Sequence, residues 1–150
     1  LSTDSRRPSV DIMDETFVVA DRSALAAVLA DPGLWRRWWP RLQLTVVEDR
    51  GRLGTRWTVR GELVGTAEIW LEPWHDGVIV HWFLRAEPAA PDTGLRWRRP
   101  PDPTRIRERY VASFKRHIHA LKDELDAGRM AGHARPSKMS RRPAPPAASR

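Results

Sequence analysis

Five histidines, 19 carboxylates and a single tyrosine are the groups through which this chain of 150 residues can move protons or hold a metal, because it contains no cysteine. The lack of thiols excludes disulfides, thiolate zinc sites, iron–sulfur clusters and a cysteine nucleophile. There is no HExxH, and no run of Asp, Glu and His has metal-ligand spacing. His117 and His119 stand two apart in a helical stretch, so their rings diverge by about 200° and cannot share a metal. His75 and His81 stand singly near strand ends and read as surface histidines. No GxSxG and no phosphate-cradling Gly-rich loop is present, and Ser113 has no visible base. Tyr110 remains: one hydroxyl carried on an apolar helical stripe. It is the candidate for acid–base work if it reaches a cavity. Otherwise its hydroxyl satisfies a buried backbone carbonyl. Neither a metal nor a cofactor is expected.

The elements that must position such groups follow from pattern. Residues 10–19, VDIMDETFVV, suit a first strand. Asp21 caps the Ala/Leu-rich run SALAAVLA, and Asp31–Pro32 opens a second short helix, GLWRRWW, stopped by Pro40. From residue 42 the period becomes 2: LQLTVVED, LGTRWTVRG, GTAEIWLEPW and GVIVHWFLRAEP read as an antiparallel meander with turns at 50–54, 61–65 and 75–77. After a proline-rich stretch, Thr104 opens a long helix with Ile106, Tyr110, Phe114, Leu121 and Leu125 on one face, stopped by Gly128. Residues 1–9 form a loose N-terminus, 10–128 one domain, and 129–150 a basic Pro/Ala/Arg-rich tail that lacks the composition of a core and is expected to be disordered.

This order resembles the START-like (SRPBCC) superfamily of polyketide cyclases/dehydratases and lipid-transport proteins. The likeness is carried by Val19–Pro40, VADRSALAAVLADPGLWRRWWP, and continues through the meander and final helix. The resemblance implies an α+β helix-grip fold: a curved antiparallel sheet wrapped around a long C-terminal helix, with an apolar cavity between them. Members bind lipids, polyketides and other greasy molecules, and some are cyclases or dehydratases. The departure is a shortened sheet. Family members carry more strands, and here only Leu95–Arg99 could be a remnant of another. With five strands the fifth can pair with the first without changing topology.

Alternation selects the cavity-facing side. With the last turn at Trp74–Gly77, Leu71 lies opposite Val80, Ile69 opposite Trp82 and Ala67 opposite Leu84. On the preceding strand Leu53, Trp57 and Val59 are the apolar set. The expected ligand-binding residues are therefore Trp57, Val59, Ile69, Leu71, Trp82 and Leu84 from the sheet, with Tyr110 and Phe114 from the helix. The same side chains serve equally as plain core. Trp35, Trp38 and Trp39 either anchor the small helices or gate the mouth.

Of the net charge of +7, the tail carries all but one unit: residues 129–150 hold six bases and no acid, leaving 20 bases against 19 acids in the rest. A near-neutral body does not suit a phosphate-tracking surface, so no specific nucleic-acid partner is expected. No stretch reaches the roughly 18 apolar residues of a membrane span, and without Cys or a signal peptide the expected location is cytoplasmic. The expected function is binding or carriage of a small hydrophobic molecule. The alternatives are a cyclase/dehydratase-type enzyme and an interaction module without a ligand.

Overall fold

Residues 6–90 and 101–130 are described by a computed structural model of the chain. The strand-remnant expectation at 95–99 lies outside the described residues, as do residues 131–150 of the tail expected at 129–150, whose first two residues belong to the final helix. Strand β1 (Val10–Val18) leads into two short helices, α1 (Arg22–Leu29) and α2 (Pro32–Trp38). The capping logic holds at both. Asp21 accepts the Ala24 N–H at 3.2 Å, and Asp31 accepts the Gly33 N–H at 2.9 Å with Pro32 in the first turn. The Trp35 indole donates to the Leu29 carbonyl at 2.6 Å, which ties α2 to the end of α1.

The meander follows: β2 (Leu42–Asp49), β3 (Gly54–Gly61), β4 (Leu63–Trp74) and β5 (Gly77–Pro88). One antiparallel sheet results, in the order β1-β5-β4-β3-β2. β1 does pair with β5, and the register across β4 and β5 is the one expected: Leu71 opposite Val80, Ile69 opposite Trp82, Ala67 opposite Leu84. Trp57 pairs with Ala67, so β3 presents Trp57 and Val59 to the same face. Leu53 departs from its expected place. It belongs to a 3-10 turn at Gly51–Leu53 that precedes β3, and it is 46% exposed.

The final helix α3 spans Pro103–Met130. The side chain of Asp102 accepts the Thr104 N–H at 3.0 Å and caps its start. Gly128 does not end it, since a helix tolerates one glycine at a cost of about 1 kcal/mol relative to alanine. α3 lies on the concave face of the sheet and is fastened to β1. Lys115 reaches the Asp14 carboxylate at 2.8 Å, the Thr16 hydroxyl at 2.9 Å and the Glu15 carbonyl at 3.2 Å, while Arg107 donates to the Asp11 carbonyl at 3.1 Å. These side chains occupy carbonyls on an edge strand that would otherwise be open to pairing. This is a helix grip, with five strands curved against one long helix.

Between sheet and helix runs a continuous chain of aromatic contacts. Trp35 meets Trp57 edge-on at 5.0 Å, and Trp57 meets Trp39 at 6.3 Å. Trp39 stacks on Trp82 at 5.9 Å, Trp82 stacks on Phe114 at 4.4 Å, and Phe114 meets Trp38 at 6.0 Å. Such contacts add roughly 0.5–1.5 kcal/mol each beyond the area they bury.

Candidate functional site

The eight residues singled out from the sequence come together. Trp57, Val59, Ile69, Leu71, Trp82, Leu84 and Phe114 are all at most 2% exposed, and Tyr110 is buried beside them. Seven of them pack into the aromatic core. The void on that face, between Trp39, Leu42, Leu44, Ala67, Trp82 and Leu84, admits no water-sized sphere. Tyr110 is the one that reaches open space.

That space is a cleft of about 220 Å³ where three elements converge. Trp38, Trp39 and Pro40 enter from the end of α2, Arg41 precedes β2, and Glu62 is the turn between β3 and β4. Arg109, Tyr110, Ser113 and Arg116 come from successive turns of α3. The position of Glu62 is set by its neighbour. Gly61 has φ 109°, and a Cβ there would sit 2.5 Å from the Arg41 carbonyl oxygen. Only glycine lets the β3–β4 turn close against Arg41. Glu62 then donates its backbone N–H to that same carbonyl at 3.0 Å.

The Glu62 carboxylate is the hub of the cleft. One oxygen accepts the Tyr110 hydroxyl at 2.8 Å; the other is bonded by Arg109 and lies 3.5 Å from Arg41. Tyr110 thus bonds a carboxylate, and not the backbone carbonyl that was its bland alternative. Burial raises the Glu62 carboxyl, but the bonds from Tyr110 and Arg109 and the charges of Arg109 and Arg41 outweigh it and hold the group below its ordinary range. Tyr110 moves the other way: burial first, then the bond to Glu62, push its hydroxyl well above 10. Nothing in the spacing of the chain marks Glu62, because its partners lie 47 and 48 residues away. Its only signal was a lone acid inside a glycine-flanked turn.

Two other groups border this region. His117 stacks on Trp38 at 5.4 Å with the planes 11° apart, and burial followed by the Arg116 charge lowers its pKa. The indole N–H of Trp39, a residue only 3% exposed, has no hydrogen-bond partner among the described residues. Trp39 borders both the cleft and the closed void behind it.

The convex face of the sheet carries a second cluster that the sequence hid. His81 is not a surface histidine but only 8% exposed. Its Nε2 lies 2.8 Å from Glu72, its Nδ1 lies 3.3 Å from Glu15, and its ring stacks on Trp70 at 4.6 Å. Glu68 and Arg56 also lie on that side, away from α3, and Glu68 pairs with Arg50 at 2.6 Å. Among the described residues no group of three or more His, Asp or Glu could hold a metal ion, and no helix is long and apolar enough to cross a membrane.

No family model matches the chain, and no curated protein matches it. Solved structures do. The solution structure of the Aha1 dimer from Colwellia psychrerythraea is similar over 77% of this chain and 96% of its own, with 13% identity and a TM-score of 0.50. The likeness is one of fold. The crystal structure of TTHA0849 from Thermus thermophilus covers 83% of this chain and 99% of its own at 14% identity, with a TM-score of 0.42. The likeness to the Aha1 structure agrees with the α+β helix-grip architecture described above, while the activity of this chain has to be argued from its own cleft.

Proposed function

We propose that the protein binds and carries a small hydrophobic molecule in the helix grip, with the cleft at Tyr110 as its mouth. The observation that supports this reading is the cleft itself, floored by the indoles of Trp38 and Trp39 and continuous at Trp39 with the aromatic wall of Trp57, Trp82 and Phe114. Its volume of about 220 Å³ falls below the roughly 300–1,000 Å³ of drug-sized sites. A small ligand fits as the cleft stands, and a larger one enters by displacing Trp39. The seven closed wall residues then become the inner lining.

Carriage is favoured over cyclase/dehydratase chemistry by the electrostatics of the polar pair. A general acid or base works best with a pKa near the operating pH. Glu62 is held below its ordinary range and Tyr110 above it, so both move away from neutrality. Such a pair fixes the β3–β4 turn to α3 and is ill-suited to exchanging protons with a substrate. The closed void favours a second reading, an interaction module without a ligand. Titration with the neutral dye Nile red separates the two. The carrier reading expects saturable binding with quenching of Trp emission, weakened by Trp82→Ala at unchanged fold. A protein that binds no dye at tens of micromolar is the ligand-free module.

A further inference from the structure

The cleft is unbalanced in its hydrogen-bonding groups, and the imbalance points to a ligand class. Its single acceptor side chain with full negative charge, Glu62, is already taken by Tyr110, Arg109 and Arg41. The donors are in excess. Arg116 makes no ion pair among the described residues, and the Ser113 hydroxyl has no partner there. Arg41, with a side chain 66% exposed, touches Glu62 only at 3.5 Å, on the oxygen that Arg109 already occupies. Three guanidinium groups against one carboxylate leave a net charge of +2 around an aromatic floor. Two buried indole N–H groups, those of Trp39 and Trp57, have no partner among the described residues, and of the two residues Trp39 borders the cleft. A buried donor without an acceptor is costly, and a ligand that supplies an acceptor near Trp39 offers it a way to regain that bond.

We propose that the ligand is an amphiphilic organic anion, whose head is a carboxylate held by Arg41 and Arg116 and whose apolar part lies on Trp38 and Trp39. This rests on the carrier reading and narrows it. A neutral greasy alcohol finds apolar floor in the cleft but no free charged acceptor for its hydroxyl. A carboxylate finds two cations and Ser113, and charge-assisted hydrogen bonds are about twice as strong as neutral ones.

The test compares octanoate with 1-octanol, two probes of one chain length that differ in charge, by calorimetric titration of the full chain at low salt. Octanoate is expected to bind at least about tenfold more tightly, in line with the roughly 1.5–3 kcal/mol carried by hydrogen bonds to charged groups. Raising the salt should weaken octanoate and leave octanol unchanged. Arg116→Ala and Arg41→Ala should each lower octanoate affinity several-fold, and by a clearly larger factor than they change octanol affinity, and Arg116→Lys should recover part of the loss. Both arginines are exposed, so unchanged circular dichroism is expected for these variants. Equal affinity for the two probes, or octanoate binding that ignores both substitutions, overturns the anion proposal and leaves the carrier reading standing. Binding of neither probe overturns both.

Discussion

Tyr110 and Glu62 make opposite statements about pH. Glu62 is depressed in the folded protein, so its contribution is complete above its ordinary value of 4.5 and is lost as the pH falls through its lowered folded value. Tyr110 is raised, so its contribution is complete below its ordinary value of 10.0 and is lost as the pH climbs toward its folded value. Glu62→Gln should therefore cost stability at pH 7, with the gap to the wild type closing on the acid side. Tyr110→Phe should cost stability at pH 7, with the gap closing above pH 10. Urea denaturation across the two ranges reads both, and pH-independent gaps would contradict the pair. Trp39→Ala offers a different readout. A Trp→Ala change in a core costs about 3–5 kcal/mol, yet here it joins the cleft to the void behind it, and Nile red should bind more tightly than to the wild type. At this scale the sequence disclosed Tyr110, because a lone hydroxyl on an apolar stripe is visible to periodicity. It did not disclose Glu62 or the burial of His81. Glu62 depends on partners from α3 and from the segment before β2, His81 on partners from β1 and β4, and no local spacing encodes either.

The elements were more legible than the residues they carry. Strand alternation gave the register of β4 on β5 because a slip by one would have turned Trp82 and Leu84 to solvent. Asp caps marked both short helices. The failures fell at element ends, where local rules are weakest: Leu53 left the strand for a 3-10 turn, and α3 ran through Gly128. Two substitutions test how elements hold the site. Phe114 is fully buried between Trp38 and Trp82, and Phe114→Ala should cost about 3–5 kcal/mol in chemical denaturation. A cost under about 1 kcal/mol would mean that α3 is not the keystone of the grip. Gly61→Ala forces a Cβ toward the Arg41 carbonyl at a positive φ. It should both destabilise the fold and weaken octanoate binding, because the turn that carries Glu62 and the segment that carries Arg41 must move apart. Full retention of affinity would uncouple Gly61 from the cleft.

On the scale of the molecule, charge and topology act separately. Six bases without an acid lie in residues 129–150, and the rest of the chain is close to neutral. Deleting 131–150 should remove retention on a polyanion column and leave the melting temperature nearly unchanged. Retention by the shortened chain would place a basic surface on the body. The topology carries a kinetic consequence. The β4–β5 hairpin closes through a two-residue turn, whereas β1 must wait for all the chain between Val18 and Val78 before it can pair. Short loops close early and long ones carry the larger entropic cost, so the β1–β5 boundary is a seam that zips late. Ile12, fully buried on β1, sits on that seam. Ile12→Ala should speed unfolding in stopped-flow measurements and leave the folding rate nearly untouched, since contacts absent from the transition state act on the way out. The lysine and arginine that α3 sets against β1 are then the clasp of the seam, and the lifetime of the native state depends on how long they hold.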